Sequence, residues 1–354
     1  MKIALVHDYI KEFGGAERVL MTLHGMFPDA PIYTIYNRSN KIKAVQSWFG
    51  YLPYADRLIS PLRFLLPLIW AGFNFDEYDL IISSASWAVT KGFSNGKNKE
   101  ICYCHTPPRI LWGYDTSRNW KKHWYIRAYI SVINHFMRLY DFKRAQKVTT
   151  FVANSLETQK RIKKFYRRDS IVIYPPVDSG SAAGMTKGNY YLTGGRLVLQ
   201  KNFDLIIKAC EKLKVPLKIY GTGPEENYLK SLAGINTEFL GYVDDYKKFE
   251  LMAGAKAFII AAGDEDFGIT PVEAMGVGTP VIAYKNGGYL ETVVENKTGV
   301  FFDKLTVENL IGAVKKFSSL KFKVEDCQKQ AQKFSREKFM LKITKVLNRK
   351  SSLF

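Results

Sequence analysis

The chain has 354 residues, 47% of them hydrophobic, and a formal net charge of +19. That length exceeds one ordinary α/β domain and suits two of about 150–200 residues each, and the composition excludes a disordered or low-complexity chain. So basic a balance points to an anionic partner: nucleic acid, a phosphorylated ligand or a membrane surface.

Short apolar runs alternate with helix-like stretches throughout, which predicts an α/β chain with mostly parallel sheets. In the first half, strands are expected at 2–7, 32–35, 79–83, 100–104, 147–153 and 170–174, with helices at 16–26, 121–145 and 156–166. Asn154 and Ser155 suit the N-cap of the last helix. Residues 1–8 read as a first strand, not as a charged leader before an apolar core, and with no disulfide framework among the four cysteines a reducing, cytoplasmic setting is expected. The longest apolar run, 62–73, contains Arg63 and Pro67. It falls short of the roughly 20 residues that span a bilayer, and either dips into an interface or forms core. Cys102, Cys104, Cys210 and Cys327 make no disulfide framework. Cys102-Tyr103-Cys104-His105 lacks zinc spacing and reads as buried strand.

The charge is uneven. From Arg118 to Arg168 there are 14 Lys and Arg against two acids, Asp141 and Glu157, a local balance of +12. Trp120, Trp124, Tyr125, Tyr129, Phe136, Tyr140 and Phe142 are interleaved with them. Cations mixed with aromatics suit an anionic membrane surface, where each Lys or Arg contributes roughly 1 kcal/mol. The alternative is a solvated helix face whose aromatics enter the core.

Two prolines at 175–176 and a small-residue stretch punctuate the chain. Domains are therefore expected at 1–175 and 187–330, followed by a helical tail over 331–354 that packs back toward the first. Strands of the second domain are expected at 189–193, 217–220, 237–240, 257–260, 280–283 and 299–301. Helices fall at 202–213, 225–233, 246–253 and 271–277. Two such units leave ligands outside the carboxyl ends of their strands, in a cleft between the domains.

Three segments carry chemistry. Gly14-Gly15-Ala16-Glu17 turns a strand into a helix, where glycines admit close backbone approach and free N–H groups face an anion. It is not the dinucleotide fingerprint, and a plain tight turn is its other reading. Arg196 and Lys201 flank the turn after the first strand of the second domain, and two cations there can hold a diphosphate. Glu265 lies in an acidic, glycine-bearing loop, with Pro271 expected to open a helix that holds Glu273. The loop carboxylate can reach sugar hydroxyls, the helical one can accept both hydroxyls of a ribose, and the helix start can hold phosphate. His105, at the carboxyl end of a strand before Pro107-Pro108, favours a ligand-facing position over the core. His7, His24, His123 and His135 show no constellation.

Together, Glu265-x7-Glu273, Arg196 with Lys201, the Gly14-Gly15 turn and Cys104-His105-Thr106-Pro107-Pro108-Arg109 resemble the family 4 retaining glycosyltransferases of the GT-B fold. The last segment, with Trp112, resembles the branch that builds bacterial surface polysaccharides, often with mannose. The resemblance covers nearly the whole chain and implies two Rossmann-like domains facing each other across a cleft. It implies that Glu273 binds the donor ribose and Glu265 the transferred sugar, while Arg196 and Lys201 neutralise the leaving diphosphate. Gly14 and Gly15 would lie in the substrate site, with Gly15 bringing a backbone N–H near the β-phosphate, and His105 would contact the sugar. Phe267, Gly268, Ile269 and Thr270 would offer backbone groups. Gly221 and Gly223 with Tyr242 and Val243 would form the nucleobase slot, and Arg109 would help with phosphate or acceptor.

The expected activity is retaining transfer of a hexose, mannose from GDP-mannose favoured. The donor is a nucleotide-sugar, and the acceptor a glycan or a lipid-linked one. No metal or cofactor is expected, and residues 118–168 meet the inner face of the cell membrane peripherally. A UDP-sugar donor, or a nucleotide-sugar epimerase, is the alternative within the fold. Neither an epimerase nor a sugar phosphorylase explains the basic aromatic stretch. A nucleic-acid-binding protein is the reading from another class; no such motif appears, and nucleic acid is not expected as a partner.

Overall fold

The central strands are buried runs, as parallel sheets covered on both faces require; all six residues of Leu80–Ala85 are buried. The computed structural model describes residues 1–11, 14–114, 124–178, 180 and 187–351. It divides into two units, one of Met1–Pro176 with Phe339–Phe354, the other of Val177–Lys338.

Unit 1 holds a seven-stranded sheet in the order β3-β2-β1-β4-β5-β6-β7. These are β1 Ile3–His7, β2 Ile32–Thr34, β3 Val45–Gln46, β4 Leu80–Ala85, β5 Lys99–Cys104, β6 Thr150–Ala153 and β7 Ser170–Val172. Every pairing is parallel. The two-residue β3 is too short to show in the sequence. Alternation along β1 sends Ala4 and Val6 into one apolar layer and Leu5 into the other. The second layer also takes Phe339, Ile343 and Val346, one stripe of the helix Arg336–Ser351. The expected tail helix is interrupted: Val324–Ala331 ends in a 3-10 turn over Gln332–Phe334, and the chain restarts at Arg336. The helix Leu156–Tyr166 is capped by Ser155, whose Oγ accepts the Thr158 N–H at 3.0 Å, an arrangement worth about 1 kcal/mol.

Unit 2 holds a six-stranded sheet in the order β10-β9-β8-β11-β12-β13. These are β8 Tyr191–Gly194, β9 Leu217–Tyr220, β10 Thr237–Gly241, β11 Phe258–Ile260, β12 Val281–Tyr284 and β13 Gly299–Phe302, again all parallel. The helices Phe203–Leu213 and Val307–Ser318 cover one face through a single apolar cluster. Where the chain enters this unit, the Val177 N–H donates to the Phe334 carbonyl near its exit, at 2.9 Å. In both sheets the strand order reverses beside the first strand of the unit, between β1 and β4 and between β8 and β11, the switch point where such folds bind ligands.

Candidate active site

In unit 2 the expected residues fall on adjacent loops at the carboxyl edge of the sheet. After β8, Gly195 takes φ 118° and Asn202 φ 50°. The Asn202 side-chain amide donates to the Ala261 carbonyl at 2.7 Å, tying this loop to the end of β11. The Lys201 ammonium lies over Gly195: a Cβ there would stand 3.0 Å from Nζ. Arg196 is exposed beside it. The Gly195 N–H donates to the Tyr220 carbonyl, the Leu197 N–H to the Thr222 carbonyl, and the Gly221 N–H to the Gly241 carbonyl. Gly221 sits at φ 106°, and a Cβ on it would lie 1.9 Å from the Gly195 oxygen. Glycine is required there by both conformation and space. Gly223 has a similar close approach to the Leu197 carbonyl, 2.2 Å from an added Cβ. The ends of β8, β9 and β10 therefore form one backbone-built shelf. Tyr242 and Val243 follow Gly241 at its rim; the Tyr242 ring is 80% exposed.

The acidic loop follows β11. The Glu265 carbonyl accepts the Gly288 N–H at 2.9 Å, and its Oε2 accepts the Tyr289 hydroxyl at 3.4 Å. Phe267 is buried, its ring against Phe334. Gly268 caps the helix Ile269–Gly276 at φ 85°. That cap corrects one expectation: the helix opens at Ile269, two residues before Pro271. Pro271 still lies among the first-turn positions whose N–H groups have no partner in the helix. Ile269 and Thr270 thus form the helix start. Glu273 is buried one turn in, and its Oε1 accepts from the Lys248 ammonium at 2.9 Å. Lys248 also bonds Asp245 at 2.8 Å. A buried carboxylate of this kind needs such a counter-charge. Lys248 was missed in the sequence because it lies 25 residues away on the helix Asp245–Gly254.

In unit 1, Gly14 caps the helix Gly15–Met26, and its N–H donates to Glu17 Oε2 at 3.0 Å. His105 follows β5. Its backbone N–H donates to the Ala85 carbonyl at 2.8 Å, and its carbonyl accepts the Thr158 hydroxyl at 3.1 Å. Burial, and then His7 nearby, push the His105 imidazole down to about 4, so it is neutral at pH 7. Its Nε2 is 2.9 Å from Ser84 Oγ, and Ser84 Oγ is 3.0 Å from His7 Nδ1. His7, given no constellation from sequence, therefore has one. Asp8 accepts from the backbone N–H groups of Ser86 and Trp87 and from the Ser86 and Thr90 hydroxyls. Arg109 opens the short helix Arg109–Trp112, beyond the Pro107-Pro108 turn. Cys102 and Cys104 are buried on β5, and burial pushes the Cys102 thiol well up.

The basic aromatic stretch resolves into a helix, Trp124–Lys147. Residues 115–123, which include Trp120, lie outside the described residues. Asn134, Met137, Asp141 and Ala145 face inward. Tyr125, Tyr129, Val132, Phe136 and Leu139 form an exposed stripe at helical spacing, with Phe136 64% exposed. Tyr140 instead packs against the core. The apolar run 62–73 divides as well: Leu66, Ile69 and Trp70 are core, while Phe64 and Leu68 are exposed. No helix among the described residues is long and apolar enough to cross a membrane.

Residues 176–334 match the family model of the glycosyl transferases group 1. The chain is similar to the alpha-1,3/1,6-mannosyltransferase ALG2 of Candida glabrata, 25% identical over 83% of this chain and 78% of that one. The mouse ALG2 is 25% identical over 81% of this chain and 80% of its own. Among solved structures, Anabaena Alr3699/HepE in complex with UDP and glucose matches with a TM-score of 0.70 at 20% identity, covering 98% of this chain and 99% of that one. Sucrose-phosphate synthase of Thermosynechococcus elongatus matches with a TM-score of 0.73 at 14% identity over both whole chains. With these likenesses added to its two parallel sheets, the chain is a transferase enzyme on the GT-B fold, and its residues 176–334 are similar to the group 1 glycosyltransferases.

Proposed function

We propose that this glycosyltransferase moves mannose, with retention, from GDP-mannose to a glycan or lipid-linked acceptor at the inner face of the cell membrane. The observation that carries the reading is the carboxyl edge of unit 2. There a glycine-built shelf, the cations Arg196 and Lys201 and the acids Glu265 and Glu273 lie on adjacent loops. Breaking the bond between the sugar C1 and the diphosphate oxygen puts negative charge on the leaving group. Two cations and the N–H groups at Ile269 and Thr270 answer that charge, so the transfer needs no metal. Glu273 takes the ribose hydroxyls, Glu265 and His105 the sugar, and the rim at Tyr242 and Val243 the base. Gly15, beside the Gly14 cap, brings its N–H group to the phosphate, and Arg109 serves phosphate or acceptor. No side chain is placed as a covalent nucleophile. The acceptor attacks the face that the diphosphate leaves, and its proton passes to the departing phosphate oxygen. The mannosyltransferase relatives, similar over four-fifths of the chain, support the choice of sugar. The exposed apolar stripe on a helix that carries Arg127, Arg138 and Lys143 supports membrane association.

A thermal-shift panel of GDP, UDP, GDP-mannose, UDP-glucose and UDP-N-acetylglucosamine tests this. A ligand at 100 times its Kd adds about 2.7 kcal/mol. The expected result is stabilisation by GDP and GDP-mannose that is lost in Glu273→Gln. Lys201→Ala is expected to keep the fold and lose about 10²–10³-fold in turnover. A response to UDP compounds alone overturns the donor, and no response to any of the five overturns the site.

A further inference from the structure

Three segments of unit 1 that look independent in the sequence are joined by a line of polar atoms. Glu17, in the first turn of the helix Gly15–Met26, binds the Gly14 N–H through Oε2, and its Oε1 stands 3.8 Å from His7 Nε2. His7 ends β1, Ser84 lies in β4 and His105 follows β5. The imidazole of His7 meets the Ser84 hydroxyl at 3.0 Å, and the same hydroxyl meets His105 Nε2 at 2.9 Å. His7 and Ser84 are 2% and 1% exposed, so water does not compete for these atoms.

A hydroxyl between two imidazoles can donate only one proton, so the pair has two arrangements. In one, Ser84 donates to His7 and accepts from His105. In the other, it accepts from His7 and donates to His105. The group at the far end decides between them. A carboxylate opposite Nε2 of a neutral His7 favours the proton on that nitrogen, because the other tautomer turns a lone pair toward the negative charge. His7 Nδ1 is then an acceptor, Ser84 donates to it, and His105 Nε2–H donates to Ser84 Oγ. We propose that Glu17, His7 and Ser84 are positioning residues, a relay that fixes His105 with its proton on Nε2 and a lone pair on Nδ1. His105 then offers a hydrogen-bond acceptor to a sugar hydroxyl. Its backbone is already pinned by Ala85 and Thr158, and the Tyr103 ring packs edge-on at 5.1 Å, so the relay settles the one remaining freedom, which nitrogen holds the proton. The tautomer stands on this geometry; its use in transfer rests on the reading of His105 as facing the sugar.

The test is nitrogen NMR of histidine-labelled full-length protein at pH 8, above the ordinary imidazole range, with turnover of GDP-mannose measured beside it. In the parent protein the His105 proton is expected on Nε2. In Ser84→Ala both tautomers appear. In Glu17→Gln, whose amide can donate to His7 Nε2, the relay inverts and the proton moves to Nδ1. Turnover by Ser84→Ala is expected to fall roughly tenfold, the scale of one lost hydrogen bond, with the KM for GDP-mannose little changed. A parent His105 protonated on Nδ1, or a tautomer indifferent to both substitutions, overturns the relay. A tautomer that responds while turnover does not overturns the positioning role. The spectra need no donor, so a protein inactive on GDP-mannose still decides the relay. His105→Ala with full turnover, by contrast, sinks only the reading of His105 at the sugar.

Discussion

Both units wind a parallel sheet with the same strand order about its switch point, yet they bury charge for different ends. Among its described residues, unit 2 buries the charged pair Glu273 and Lys248 inside the candidate site. Unit 1 buries Asp8, Arg63, Lys91, Glu100, Asp141 and Arg161. Much of that charge holds chain in place. Lys91 pairs with Asp141 on the helix Trp124–Lys147, and the Trp112 indole donates to the same carboxylate at 2.8 Å. Arg144 of that helix donates to the Lys91 carbonyl at 3.0 Å. Glu100 accepts from the Ser83 hydroxyl and from the N–H groups of Gly92 and Phe93. Burial pushes the Lys91 ammonium down, and the adjoining Asp141 carboxylate more than offsets this, leaving it above its ordinary value. The helix that exposes an apolar stripe is thus fastened on its inner side by polar bonds, which fix its rotation more narrowly than apolar contact would. Buried charge in unit 2 lies at the candidate site; in unit 1 most of it holds one stretch of chain to another.

The contrast can be broken in three places. Asp141→Asn leaves the Lys91 ammonium buried without its counter-charge. It should cost about 3–5 kcal/mol, confined to unit 1. Hydrogen exchange followed by peptide should show unit 1 opening while unit 2 keeps its protection and its nucleotide response; equal loss in both would dissolve the distinction. Gly221→Ala forces a side chain into the left-handed region and against the Gly195 carbonyl. It should cost about 1–3 kcal/mol, read by denaturation, and weaken nucleotide binding; unchanged binding would remove the shelf from the site. The double change Val132→Ser with Phe136→Ser should move stability by less than about 0.5 kcal/mol. It should still lower partition onto phosphatidylglycerol vesicles by tenfold or more, since each side chain contributes roughly 1.5–3 kcal/mol when buried. Unaltered partition would leave the stripe without its proposed role.

What could be read from sequence follows from range. Buried parallel strands announce themselves by local composition, so among the described residues twelve strands fall near their expected places and Val45–Gln46, two residues long, is missed. The helix Leu156–Tyr166 is read to its ends because Ser155 is a local cap. The start of the helix at Ile269 is not, because a left-handed Gly268 caps it where Pro271 seemed the natural opening. The site segments were legible as residue types beside turns. Their partners were not: Ser84 lies 77 residues from His7, and Lys248 reaches Glu273 from another helix. The helical period of the basic stretch was visible, but which side of it faces the core depends on Asp141 meeting Lys91, a contact 50 residues apart.

The apolar stripe Phe339, Ile343 and Val346 has a consequence for synthesis. Because these side chains complete a layer begun by Leu5, Val19 and Leu20, unit 2 is spliced into the middle of unit 1. On the ribosome the usual order, first domain first, is inverted. All of unit 2 has been made while unit 1 still lacks part of its core. The nascent first unit must wait, with apolar surface uncovered, for the stripe after Lys338 to emerge. Its exposure to chaperones and proteases is therefore set by how quickly the segment after Lys338 is translated, and a ribosome stalled within unit 2 would strand unit 1 unfinished.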